Sequence, residues 1–266
     1  MNVGGMMESK NIIVFDVDNT LIKGNLTFIF LYNLAKQNLW LGKDLAITTL
    51  KYLLLSLIKF PKAIPLIFSK KPNFYFLDYK ATEYIRRIYN DIFKILRKHK
   101  LLNSKLQKTA LKILNNDLLD KKLHQESIEK IKHHIKNPHN IIVMLSGSMQ
   151  EVLNVLFQKI RKQLRAEDIN VKDNFLVIGT QFNEETQNIE PCIGSNKIIL
   201  LKKFLKKLGA ENSKIKFVYS DNFMMIDLPL FIESQNGGAI ISDKNQLYEK
   251  LPEQIKKVLK FLPNWK

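Results

Sequence analysis

The chain has 266 residues, 45% of them hydrophobic, enough for one large domain or for a core domain carrying a smaller insertion. Its single cysteine, Cys192, excludes a disulfide framework and a thiolate metal cluster, and suits a reducing compartment. The net charge of +17 has two readings: anionic partners such as phosphorylated substrates or anionic lipid, or simply a lysine-rich solvated surface. No zinc-finger spacing, glycine-rich RNA-binding signature or compact basic tail points to a specific nucleic acid.

In chain order, residues 1–10 lack a basic segment followed by an apolar run, so no secretory signal is read there and a cytoplasmic location is expected. Asn11 to Asp16 is a short, β-branched apolar run that predicts a buried parallel strand, ended by the turn-prone Asp18-Asn19-Thr20. From Leu26 to Lys136 glycine nearly disappears and apolar residues recur at helical spacing, as in Ile85, Ile88, Tyr89, Ile92, Ile95 and Leu96. Pro61, Pro65 and Pro72 are expected to mark helix ends there. The most apolar stretch, Leu45 to Phe68, is broken by Lys51, Lys59, Pro61, Lys62 and Pro65, short of the roughly 20 apolar residues of a membrane span. Leu39 to Phe68 reads either as core packing of a helical region or as a face in peripheral contact with a membrane, whose substrate would then be a lipid or other amphipathic phosphate.

Strand-like runs return at Asn140 to Leu145, followed by a small-residue turn at Ser146-Gly147-Ser148 and a helix from Met149 to about Leu164. Further strands are expected at Phe175 to Ile178, Ile215 to Tyr219 and Ala239 to Ile241. Helices are expected at Asn196 to Leu208 (closed by Gly209), Asp227 to Ser234 and Asn245 to Leu262. Strands alternating with helices predict an α/β fold: a Rossmann-like, doubly wound parallel sheet with an inserted all-helical segment.

In such a sheet ligands gather beyond the carboxyl ends of the strands, and four polar places lie there. Asp16 and Asp18 are two residues apart at the end of the first strand, so both can reach one crevice. Two carboxylates so close need a cation or proton between them, and Mg2+ suits oxygen ligands. Ser146 follows a strand, where its hydroxyl and the N–H groups of a helix start would bind an anion or merely cap the helix. Lys197 stands near a helix start, where a cation is disfavoured unless it faces an anion. Asp221 ends another strand, in a position to be a third metal ligand or a turn residue, and Asp227 follows in Asp227-Leu228-Pro229-Leu230.

Asp-x-Asp-x-Thr, then Ser, then Lys, then Asp, in this order and context, resembles the four motifs of the haloacid dehalogenase superfamily. The matches are Asp16, Asp18 and Thr20 in the first, then Ser146, Lys197 and Asp221. The stretches Asp16 to Gly24 and Gly194 to Lys197, and Asp227-Leu228-Pro229-Leu230, are similar to its phosphoserine-phosphatase-like branch. The resemblance implies a core of residues 1–24 and 138–266 and a helical cap of residues 25–137. It implies a Mg2+-dependent phosphatase in which Asp16 becomes phosphorylated and Asp18 protonates the leaving oxygen and then activates water. Ser146 and Lys197 would stabilise the phosphoryl oxygens, with Thr20, Gly147 and Ser148 beside the substrate. Mg2+ would be held by the Asp16 carboxylate, the Asp18 carbonyl and Asp221.

Two features depart from that pattern. Asp227 lies six residues after Asp221 (227 − 221 = 6), where the superfamily's second acid usually follows by four or five, so its role is set apart. Lys23-Gly24-Asn25-Leu26 stands where branch members acting on phosphoserine carry an acid, which argues against phosphoserine. Two other function classes compete. A metal-dependent glycosyltransferase using Asp-x-Asp accounts for Asp16 and Asp18 but not for Ser146, Lys197 and Asp221. A degenerate binding module draws only on the Asp221–Asp227 spacing. Neither the substrate nor the oligomeric state is read from the sequence.

Overall fold

The computed structural model describes residues 10–67, 74–102, 104–114, 116–169, 171, 174–183, 185–221, 227–235 and 238–240. The expected closing helix from Asn245 to Leu262, the start of the chain and Pro72 lie outside these residues.

The first strand, β1 (Asn11–Phe15), is followed by six helices: α1 (Leu26–Gln37), α2 (Leu39–Ile67), α3 (Phe74–Lys98), α4 (Ser104–Ile113), α5 (Asn116–Lys122) and α6 (Gln125–Ile135). Then come β2 (Asn140–Met149), α7 (Gln150–Ala166), β3 (Phe175–Asn183), β4 (Asn188–Glu190), α8 (Ser195–Lys207), β5 (Lys214–Ser220), α9 (Leu228–Glu233) and β6 (Gly238–Ile240). The sheet order is β4-β3-β2-β1-β5-β6, parallel except for β4, which pairs antiparallel to β3. Chain order runs outward from β1 to β3 on one side and then through β5 to β6 on the other. The strand order therefore reverses between β1 and β5, which opens a crevice at their carboxyl ends.

Both faces of the sheet are buried, which explains the unbroken apolar runs. Ile13, Phe15, Ile142 and Met144 join a core with the helices before β2 and with α7, while Ile12, Val14, Ile141, Val143 and Leu145 pack with α8 and α9. Tyr89, Phe93 and Leu96 of α3 and Leu106 of α4 belong to the first of these clusters, so the inserted helices share one apolar core with a sheet face.

Local chemistry sets several helix ends. The Asn25 side chain accepts from the N–H of Phe28 at 3.0 Å and starts α1. Pro229 sits in the first turn of α9, where its missing N–H is not needed. Gly209, at φ +65°, lets the chain leave α8.

Two expectations are corrected. Helix α2 runs on to Ile67, through Pro61 and Pro65. Each proline removes one helix donor, and the helix as a whole is held by its packing on α1 and α3. Ser146-Gly147-Ser148 is the last part of β2 rather than a turn, and the helix begins only at Gln150. Its pairing with β3 shifts register between Leu145 and Met149, so the small residues form an irregularity inside a strand. The short β4 was not expected, since three residues carry too little alternation to be recognised. Among the described residues no helix is long and apolar enough to cross a membrane.

Candidate active site

The crevice at the switch point is a cavity of about 360 Å³. Its lining includes Asp16, Asp18, Lys197, Asp221 and Asp227, the apolar Phe28, Ile85, Ile88, Ile92 and Ile193, and the polar Asn19, Asn25 and Thr27. Asp16 directly follows β1, and its N–H is still bonded to the Tyr219 carbonyl of β5 at 2.8 Å. The next residues turn sharply. Asn19 adopts φ +59°, its side chain accepts from the N–H of Gly24 at 2.9 Å, and its own N–H donates to the Gly24 carbonyl at 3.1 Å.

Lys197, in the first turn of α8 and only 1% exposed, donates to Asp16 Oδ1 at 2.7 Å and also to Asp227 Oδ1. Asp227 is buried too and accepts from the Ser220 hydroxyl at 2.6 Å. The residue set apart on spacing therefore stands on the same ammonium as Asp16. Asp18 faces a different set of donors. Its carboxylate accepts from the Leu26 N–H at 2.7 Å, the Ser146 hydroxyl at 3.0 Å and the Ser148 hydroxyl at 3.1 Å.

Burial drives the titration of this cluster. Desolvation pushes the Asp16 carboxyl well up, Lys197 pulls it down, and Asp227 and Asp18 push it up again. Burial also raises Asp18, against the pull of its Leu26, Ser146 and Ser148 donors. Burial alone would lower Lys197, but the Asp16 and Asp227 carboxylates overcome it and hold the ammonium charged far beyond neutral pH.

The other expected residues have distinct places. Ser146 is fully buried; its hydroxyl donates to Asp18 and accepts from the Ser148 N–H at 2.9 Å, four residues before the helix whose start it was expected to occupy. Gly147 lines the cavity. Ser148 and Thr20 are fully buried, with their hydroxyls engaged by the protein: Ser148 on Asp18, and Thr20 accepting from the Asp221 N–H at 2.8 Å. Sequence reasoning missed three supports. Tyr89 of α3 donates to the Gly147 carbonyl at 2.5 Å. The Thr27 hydroxyl accepts from the Met149 N–H at 3.0 Å. Ser220 orients Asp227. The only available signal was for Ser220, which ends a strand directly before Asp221; the other two depend on contacts between residues far apart in sequence.

Four carboxylates therefore share the cavity with one ammonium, an excess of three acidic groups. Such a hard-oxygen donor set fits a divalent cation such as Mg2+. Among the described residues no three acidic, imidazole or thiolate groups form a ready cage. Mg2+ does not require one, because it takes one or two carboxylates and completes its shell with water and phosphate.

No family model matches this sequence, and no curated protein matches it. Solved structures similar to the chain are mostly hydrolases of the haloacid dehalogenase superfamily, phosphoserine phosphatases among them. A protein of unknown function from Bordetella pertussis Tohama I is 14% identical, with a TM-score of 0.60 over 96% of this chain and 98% of that one. A phosphoserine phosphohydrolase-like protein from Francisella tularensis subsp. tularensis SCHU S4 is 15% identical, with a TM-score of 0.49 over 95% of this chain and 94% of that one. A phosphoserine phosphatase in a phospho-aspartyl intermediate analogue state is 14% identical, with a TM-score of 0.44 over 96% of this chain and 93% of that one. The likeness to the Bordetella protein is one of fold.

Proposed function

We propose that this chain is a Mg2+-dependent phosphatase of the haloacid dehalogenase type, hydrolysing a phosphate monoester through a phosphorylated Asp16. One observation carries the reading. A carboxylate at the end of the central strand is held by a buried lysine, and a second carboxylate two residues on is held separately by two serine hydroxyls in the same cavity.

The two carboxylates have different environments, which suits two different tasks. Asp16 has one oxygen fixed by Lys197, leaving the other to attack phosphorus in line. Its attack breaks the ester bond and leaves the phosphoryl group on the carboxylate. Asp18, raised by burial and kept in place by Ser146 and Ser148, supplies the proton that the leaving oxygen needs. The resulting Asp18 carboxylate then takes a proton from the water that releases phosphate. Lys197 sits where charge develops on the phosphoryl oxygens. Asp16, the Asp18 carbonyl and Asp221 would hold the Mg2+, with Asp227 positioning Lys197. When bound, the ion supplies positive charge that lets the phosphate approach these carboxylates.

The test is hydrolysis of a generic aryl phosphate with Mg2+, with chelator, and by the Asp16→Asn variant. Turnover in the first condition alone is expected. Turnover that survives the chelator or the substitution would overturn the reading.

A further inference from the structure

The geometry points to a substrate whose alcohol is apolar where it meets the helices above the phosphate site, an aliphatic or aryl phosphate monoester rather than an amino-acid or sugar phosphate. This rests on the phosphatase reading of the same cavity. The charged groups come from the ends of β1 and β5 and from the starts of α8 and α9. The inserted helices contribute Phe28 of α1 and Ile85, Ile88 and Ile92 of α3, three isoleucines spaced along one stripe of that helix; Asn19, Asn25 and Thr27 also line the cavity, their side-chain oxygens accepting from the Gly24, Phe28 and Met149 N–H groups. Tyr89 of α3 already gives its hydroxyl proton to the Gly147 carbonyl. An ammonium, carboxylate or sugar hydroxyl on a leaving group lying along α3 would thus be desolvated against isoleucine without a partner on that helix. An alkyl or aryl body would instead bury apolar surface there.

The experiment compares kcat/KM for ethyl, butyl, hexyl and octyl phosphate with that for O-phosphoserine, all with Mg2+. A rise of roughly three- to fivefold per added methylene is expected until the wall is covered, with phosphoserine poorest. In Ile88→Arg the octyl-to-ethyl ratio should collapse. Phosphoserine turnover with a flat alkyl series overturns the apolar-body proposal and leaves the phosphatase reading standing. Hydrolysis of none of these esters overturns both.

A separate observation concerns helix α2, which is apolar on two sides. Leu41, Leu45 and Tyr52 are buried, whereas Trp40, Ile47, Leu50 and Leu54 lie within one arc facing outward, Trp40 being 74% exposed. Lys43 lies in that arc and is exposed. From Leu26 to Ile67 the chain carries five lysines (Lys36, Lys43, Lys51, Lys59, Lys62), of which Lys51 pairs with Asp91 at 2.8 Å, and one acid, Asp44, which Lys98 neutralises at 2.7 Å. An outward face of tryptophan and aliphatic residues with Lys43 within it, on a chain of net charge +17, complements an anionic bilayer. We infer that this face of α2 docks on anionic membrane surfaces.

Co-sedimentation with phosphatidylglycerol-containing vesicles is expected, weakening with salt and with pure phosphatidylcholine. It should fall at least tenfold in Ile47→Asp/Leu50→Asp, with helical circular dichroism checked as unchanged. Failure to sediment with anionic vesicles at low salt overturns the inference. So does retained binding by the folded double variant, or a dimer that buries this face and dissociates in that variant.

Discussion

At Lys197 the charge balance of the site is concentrated in one side chain. Its ammonium is buried between Asp16 and Asp227, so its removal strands two carboxylates without a counter-charge. Lys197→Met is therefore expected to lower stability by about 3–5 kcal/mol and activity by roughly 10²–10³-fold. Urea unfolding and phosphatase kinetics on one preparation check this; full activity in a destabilised variant would make Lys197 structural only. The contacts also explain what the sequence revealed of the site. Asp16, Asp221 and Lys197 were legible because a polar residue directly after an apolar strand, or a cation at a helix start, is locally out of place. The partners of Asp18 were not. Ser148 and Leu26 reach it across 130 and 8 positions of chain, and nothing local marks such a meeting. Asp227 was set apart by a spacing rule, although what matters is that Ser220 and Lys197 both hold it.

At the scale of elements, the end of β2 connects the site to its surroundings. Ser146 and Ser148 hold Asp18, while Gly147 receives Tyr89 and Thr180. Serines around a glycine look like a turn, but they lie in the register shift between two paired stretches of β2, Leu145 before them and Met149 after them, and the Thr180 hydroxyl donates to the Gly147 carbonyl at 2.7 Å. Gly179 of β3 allows this closeness, because a Cβ there would lie 2.7 Å from the Ser148 carbonyl oxygen and 2.5 Å from Leu153 Cδ1. Gly179→Ala should cost about 1–3 kcal/mol and also reduce kcat through Ser148; unchanged urea unfolding would show that the strand end gives way freely. Behind the site, at the core beneath the sheet, His134 of α6 bonds the hydroxyl of Tyr219 of β5 at 2.8 Å. Burial, then His133, Lys130 and Lys216, hold its imidazole down to about 4, below the ordinary 6.5. The unfolded chain thus takes up the proton first. The contribution is fully present above about pH 6.5 and is lost as pH falls through about 4. Stability measured from pH 7 to 4 should therefore fall less steeply in His134→Gln, and an identical slope would remove His134 from the acid response.

For the whole molecule, the alternation of apolar strands and helices was enough to reach the α/β class, because burial on both sheet faces writes continuous apolar runs into the sequence. The sharing of one core between the inserted helices and the sheet was not legible, since helical periodicity shows that a face is apolar but not what covers it. That shared core brings Ile85, Ile88 and Ile92 into the lining of the same cavity as the carboxylates, so the inserted helices contribute part of its wall. The central claim is that the phosphoryl group passes through Asp16. Its most direct measurement is an acid quench of the protein during turnover of a ³²P-labelled phosphate monoester with Mg2+. The expected result is label on the chain, released by hydroxylamine as an acyl phosphate must be, and absent from Asp16→Asn. Turnover with no label on the protein, or label that persists in Asp16→Asn, would contradict it.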